Sequence, residues 1–389
     1  MMTRKPMPPE IDKAPQRLCL VIPALTMGGA ERVLSRMANH WAGTGRHVTL
    51  ITWDGAEHDS YALSSHVHRV GLNQLARSRG LLSAVHHNLR RVRVLRNALI
   101  DARPDVVISF LDTMNVTTAL ACLGTGIPVI ATERTDPRQH RIGFVWNMLR
   151  RWTYPRCSAL VVQTAEIRRH FVPPLSDSSV CVIPNAVFAA EPSTPPSDLD
   201  GRSIVLGVGR LSNEKGFDLL IEAFAGLADD HPHWRLVILG DGPQRQSLEQ
   251  DIRRWGLQDR MELRGWVTVP SDWYAAADVF VLPSRYEGFP NALLEAMASG
   301  SPVIATNCSP SIREIIDHDQ NGLVVQAADL SELSRALRRM MTDADLRNRL
   351  GTAARQVSTR FCQKAYFQKW ESLIDSVLAQ STTADASVA

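Results

Sequence analysis

Cysteine is sparse and scattered in this 389-residue sequence. Cys19, Cys122, Cys157, Cys181, Cys308 and Cys362 form no C-x-x-C pair, which leaves no Cys-based metal or redox motif and fits a reducing compartment. Long apolar runs are missing too. The longest uncharged stretch, 113–132, is interrupted by Asn115, Gly124, Gly126 and Pro128, so it reads as buried core and predicts no transmembrane helix. No targeting signature appears at Met1. Acidic residues are absent from 73–100 and again from 138–157.

That last absence is part of a wider asymmetry. Residues 1–185 carry 23 Lys and Arg against 13 Asp and Glu, a net +10, whereas the remainder carries 20 against 27, a net −7. One half therefore suits an anionic partner: nucleic acid, lipid head groups or a phosphorylated substrate. The overall length exceeds what one core usually organises, so two domains are expected.

Short β-branched runs (Leu18–Ile22, Val48–Thr52, Val106–Ile108, Val129–Ile130, Leu160–Val162) alternate with helical patterns, which implies a parallel sheet covered on both faces. A Pro-, Ser- and Asp-rich segment follows. A second alternation then runs through Ile204–Leu206, Leu236–Leu239, Val279–Leu282 and Val303–Ile304. The expected organisation is a disordered leader over 1–16, a first doubly wound domain over 17–186 and a linker over 187–201. A second such domain covers 202–358, a C-terminal helix over 359–378 crosses back to the first, and a disordered tail occupies 379–389.

Open parallel sheets bind ligands at the carboxyl ends of their strands, and four motifs lie there. Gly28-Gly29-Ala30-Glu31-Arg32 is either a phosphate cradle at a helix start or a plain tight turn. Arg210 and Lys215, five residues apart on a loop before a helix, can clamp a diphosphate, Arg as a planar fork and Lys as a point charge. Gly240 closes a strand within Gly240-Asp241-Gly242-Pro243, and the Leu263–Val267 stretch resembles another turn whose backbone at Val267 can sit beside a base. In Pro283-Ser284-Arg285-Tyr286-Glu287-Gly288-Phe289-Pro290-Asn291-Ala292-Leu293-Leu294-Glu295, two carboxylates flank one helix start. Carboxylates hold sugar hydroxyls, and free amides from Gly288 through Phe289, Asn291, Ala292 and Leu293 can hold phosphate between them.

Taken jointly, these motifs resemble the family 4 retaining glycosyltransferases of the GT-B fold, in which two Rossmann-like α/β domains face an interdomain cleft. The likeness runs from about Leu18 to about Tyr366. It implies that Arg210 and Lys215 neutralise the diphosphate of a UDP-sugar donor, Glu287 contacts the donor sugar, Glu295 binds the ribose hydroxyls and Gly29 lies against the phosphates. A narrower likeness, in Ile108–Asp112 and Ala131–Arg138, is to bacterial enzymes that extend polyprenyl-diphosphate-linked saccharides, N-acetylgalactosaminyltransferases among them. Phe110 departs from the family, many of whose members carry a histidine there; Asp112, Thr113 and Asn115 are candidate substitutes. Asp112 and Arg134 are expected on the acceptor side.

Within 73–100, a helix would align Leu82, Val85, Leu89, Val92 and Leu99 on one face and His86, Arg90, Arg93 and Asn97 on another. Arg90, Arg91 and Arg93 then either stay solvated or meet the acceptor's diphosphate and an anionic membrane surface. Aromatics mixed with arginines over 138–157 suit the same interface. The resemblance thus implies a cytoplasmic, membrane-peripheral enzyme that needs neither a cofactor nor a metal; the three D-x-D pairs (Asp198 with Asp200, Asp317 with Asp319, Asp343 with Asp345) lie off the motif loops. No nucleic-acid partner is expected. Two rivals are a nucleotide-sugar epimerase of the same fold and a non-enzymatic lipid- or nucleic-acid-binding module.

Overall fold

The computed structural model describes residues 16–74, 81–140, 142–188, 201–267 and 270–386. Its first half runs β1 (Arg17–Val21), α1 (Gly29–Gly43), β2 (His47–Thr52), β3 (Val67–Gly71), α2 (Leu81–Ala102), β4 (Val106–Phe110), α3 (Asp112–Cys122), β5 (Val129–Thr132), α4 (Phe144–Thr153), β6 (Ala159–Val162), α5 (Ala165–Phe171) and β7 (Val180–Val182). The second half begins with β8 (Ser203–Val208), α6 (Phe217–Ala225), β9 (Trp234–Leu239), α7 (Arg245–Trp255), β10 (Met261–Gly265), α8 (Ser271–Ala276) and β11 (Val279–Leu282). It continues through α9 (Asn291–Ser299), β12 (Val303–Thr306), α10 (Pro310–Ile315), β13 (Leu323–Val325), α11 (Leu330–Thr342), α12 (Ala344–Ala354), α13 (Val357–Arg360) and α14 (Gln363–Ala386).

The strands form two parallel sheets, ordered β3-β2-β1-β4-β5-β6-β7 and β10-β9-β8-β11-β12-β13. In both, the order reverses beside the first strand of the domain, between β1 and β4 and between β8 and β11. Loops part there, leaving a crevice at the strands' carboxyl ends. The central strands β1, β4, β5 and β11 are buried along almost their whole length, which is why they read as continuous apolar runs. The edge strand β3 buries only Val67. Side-chain caps fix several helix starts, Thr164 on α5, Asp329 on α11 and Asp343 on α12.

Helix α14 returns from the second domain to the first. Tyr366, Phe367, Trp370, Leu373, Ile374 and Val377 are buried in the same core as Leu34, Met37 and Trp41 of α1, and the Trp41 indole N–H donates to Glu371 Oε1 at 2.7 Å. Trp370 is completely buried; truncating such a side chain to alanine costs about 3–5 kcal/mol.

Two boundaries differ from the sequence expectation. The helix does not stop at 378, because α14 runs on to Ala386, so most of the expected tail is ordered. Val187 and Phe188, expected in the linker, are buried, and the Val187 amide donates to Phe361 O at 2.8 Å; apolar side chains there closed on the two cores. The rest of the linker, 189–200, and nearly all of the leader lie outside the described residues.

Candidate active site in the interdomain cleft

The loop leaving β11 carries Glu287, and the chain then turns into α9. Glu287 is buried, and its Oε1 accepts from Lys215 Nζ at 2.7 Å and from Ser284 Oγ at 2.7 Å. Burial pulls the Lys215 ammonium down, but the charges of Glu287 and Glu214 outweigh it and its pKa is raised. Lys215 therefore stays a cation. Helix α9 opens behind Pro290 with no side-chain cap, so amides of its first turn are free for an anion, and Glu295 projects one turn further on. Phe289 and Leu293 have buried side chains, Phe289 edge-on to Phe361. They can offer a ligand only backbone. Ala292 and Val267 are partly buried against the same core.

Gly240 holds a φ of +135°, and a Cβ there would sit 1.9 Å from Gly209 O. Only glycine lets the end of β9 close on the loop that carries Arg210. Arg210 itself is exposed, and its charge acts on Glu31 of the opposite domain. Burial raises the Glu31 carboxyl, and Arg210 pulls part of that shift back.

The first domain meets this surface through α1 and the loops after β4, β5 and β7. Asn291 Nδ2 donates to Gly29 O at 3.2 Å, while its Oδ1 accepts from Asn185 Nδ2 at 2.7 Å. Asn185 Oδ1 in turn accepts from Arg134 Nη1 at 2.8 Å, and the Arg134 guanidinium lies over the Phe110 ring, 3.8 Å from its centroid. Gly288 faces the Arg134 carbonyl so closely that a Cβ would stand 1.9 Å from the oxygen. Arg32 of α1 reaches across to pair with Glu295 Oε1, with Arg36 Nη1 3.8 Å from the same atom. Tyr61 donates to Gly28 O at 2.9 Å and lies edge-on to Trp266.

Comparison with known proteins fits this arrangement. Residues 27–190 match the family "Glycosyltransferase Family 4" and residues 194–357 match "Glycosyl transferases group 1". The two matches divide where the sheets divide. The chain belongs to the family 4 glycosyltransferases.

Among its relatives is the GalNAc-alpha-(1->4)-GalNAc-alpha-(1->3)-diNAcBac-PP-undecaprenol alpha-1,4-N-acetyl-D-galactosaminyltransferase of Campylobacter jejuni, 28% identical over 93% of this chain and 99% of that one. An exopolysaccharide phosphotransferase of Streptomyces coelicolor is 34% identical over 73% of this chain, but the match spans only 31% of that protein's length. A solved structure of the Anabaena protein HepE in complex with UDP and glucose superimposes with a TM-score of 0.76 at 20% identity, covering 93% of this chain and 100% of that one. The fold is GT-B.

Phe110, where the resemblance led to an expected histidine, is fully buried under the Arg134 guanidinium. Asn115 is occupied with structure, donating to Thr132 O at 2.8 Å, and the Thr113 carbonyl accepts from Thr117 Oγ1. Asp112, the first residue of α3, accepts from the Thr113 amide through Oδ1, and its Oδ2 lies 3.3 Å from His140 Nε2. Beside it, Glu133 is buried under the Tyr154 hydroxyl, with Arg150 Nη1 at 3.5 Å. Burial pushes the Glu133 carboxyl up to about 7, against the pull of Arg150 and Tyr154.

Of the basic residues on α2, Arg90 and Arg93 are exposed, whereas Arg91 donates to Gln74 O and lies over Trp53. Arg96 donates to the carbonyls of Ala121 and Leu123 at the end of α3. The expected apolar face buries only toward the helix end: Leu95 and Leu99 are covered, while Val85 and Leu89 are 60% and 66% exposed. The side chain of Leu82 lies outside the described residues. The D-x-D pairs serve other ends, Asp343 as a cap and Asp319 as partner to Arg339; Asp198 and Asp200 lie outside the described residues.

Sequence reading missed Arg32, Arg36, Asn185 and Tyr61 as cleft residues. Arg32 stood inside a quoted motif, but only the closed cleft supplies its partner.

Proposed function

We propose that this enzyme transfers a hexose or N-acetylhexosamine from a UDP-sugar to a saccharide carried on polyprenyl diphosphate, with retention at the anomeric carbon, in assembly of a cell-surface polysaccharide or glycan. The observation that carries the donor reading is the Lys215–Glu287 pair beside the uncapped start of α9. Lys215 and the more exposed Arg210 meet the diphosphate, Glu287 holds hydroxyls of the sugar and Glu295 those of the ribose. As the bond from the anomeric carbon to the diphosphate breaks, the acceptor oxygen bonds the same face of that carbon, and its proton passes to the departing phosphate. Catalysis then rests on placement and charge stabilisation, with two cations and helix amides doing what a metal does elsewhere.

The acceptor reading is supported by the name of the Campylobacter relative and by α4. Phe144, Val145, Met148 and Trp152 share one outward face of that helix, all between 45% and 83% exposed. Arg151 and Arg156 flank them, Arg156 lying over the Trp152 ring. Exposed aromatics among arginines suit the head-group layer of an anionic membrane at the cytoplasmic face. No described helix is long and apolar enough to cross one. A mass-spectrometric screen of UDP-sugars against polyprenyl-diphosphate-linked acceptors, with proton NMR of the products and of donor incubated alone, tests the whole reading: product with the anomeric configuration of the donor supports it, and epimerised donor without acceptor defeats it.

A further inference from the structure

The carboxylate proposed to hold the donor ribose is gripped from the other domain. Glu295 stands one turn inside α9 of the second domain and is 4% exposed. Its Oε1 pairs with Arg32 of α1, with Arg36 3.8 Å behind. Its Oε2 is buried, with the Tyr274 hydroxyl beside the carboxylate. One oxygen is thus fixed by a guanidinium while the other keeps a lone pair for a ribose hydroxyl.

We propose that Arg32 is a positioning residue for the donor: by reaching across the cleft it orients Glu295, so that donor affinity depends on closure of the two domains. This rests on the reading of Glu295 as the ribose ligand. A carboxylate on a helix turns about its side-chain bonds, and ordering it at the moment of binding costs affinity; a guanidinium partner in place beforehand removes that cost. The ion pair can do so only when α1 and α9 face each other, which the Asn291 to Gly29 hydrogen bond and the Gly288 contact with Arg134 also require. Arg36 keeps the pair from being a lone contact. Burial and the neighbouring Arg32 push the Arg36 guanidinium down to about 10, so it still carries its charge at neutral pH.

The test is calorimetric binding of UDP to five full-length proteins: wild type, Arg32→Gln, Arg32→Lys, Glu295→Gln and the double variant of Arg32→Gln with Glu295→Gln. Arg32→Gln should weaken UDP binding by about tenfold, the size of one charge-assisted contact, and Arg32→Lys should recover part of it. Because Arg32 acts through Glu295, the double variant should bind no more weakly than Glu295→Gln alone. In turnover, KM for the donor should rise more than kcat falls. Multiplicative losses in the double variant overturn the proposal, since Arg32 would then touch the nucleotide itself. Unchanged or tighter binding by Arg32→Gln overturns it as well, showing that Arg32 competes for Glu295. If Glu295→Gln binds UDP like wild type, the ribose reading falls first. Thermal unfolding of each variant separates these outcomes from loss of fold, and a destabilised Arg32→Gln is replaced by Arg32→Lys in the same cycle.

Discussion

The two domains share one architecture and present opposite surfaces. Nine of the eleven large apolar side chains exposed among the described residues, Met27 through Trp152, lie in the first domain; only Trp255 and Trp266 lie in the second. The first also carries net +10 where the remainder of the chain carries −7. In the second domain Lys215 is turned inward and paired with Glu287. On the proposed function, the same sheet topology keeps one domain for a small polar ligand and leaves the other to meet a large amphiphilic one. Function is written in the loops and outer faces.

Four substitutions break or sharpen that contrast. Lys215→Ala removes the cation nearest Glu287 and should lower kcat by about 100- to 1,000-fold with unchanged circular dichroism; a loss below tenfold places the leaving-group charge elsewhere. Gly288→Ala puts a methyl into the Arg134 carbonyl, which keeps the two domains apart. Activity should drop by about 100-fold, and small-angle scattering should report a larger radius of gyration. An active, equally compact variant would remove closure from the mechanism.

On the other domain, replacing Phe144 and Trp152 by serine should weaken partition to anionic vesicles by about 10- to 100-fold, while turnover of a water-soluble acceptor analogue stays as in wild type. Equal losses in both assays would show that α4 serves the fold. The smallest effect concerns Glu133. The folded protein keeps its proton to about pH 7, while the unfolded chain releases it near 4.5. Between those values the unfolded state binds fewer protons, so stability falls as pH rises, and the cost is absent below 4.5. Thermal melts of wild type should decline by a few degrees across that window relative to Glu133→Gln. Parallel profiles would assign the decline to other groups.

Much of this was legible in the residues. Central strands announce themselves because both faces are buried, so β-branched residues run on unbroken; β3 and β7 escaped because edge strands bury less, and β13, though buried, because it is only three residues long. The Glu287–Glu295 loop was readable from its spacing, since the two carboxylates flank a local helix start. On α2 the periodicity located a helix and set Val85 and Leu89 on one face with Leu99, but the domain covers only the far end of that face. Period tells which residues share a face and is silent on what the face meets. On α4 the aromatics and arginines were visible, but not that Phe144, Met148 and Trp152 point outward while Arg150 is buried.

The sequence by itself determined the local matters: two alternating α/β halves, the glycine turns at strand ends, the charge imbalance, and a carboxylate pair around one helix start. All of these depend on neighbours within a few residues. Only the tertiary structure decided what lies opposite them. Arg32 and Glu295 are 263 positions apart, Asn185 and Asn291 are 106 apart, and α14 crosses back to seal the first core. Contacts of that range form when two surfaces already built by local rules are brought face to face, and no spacing along the chain records the angle at which they meet.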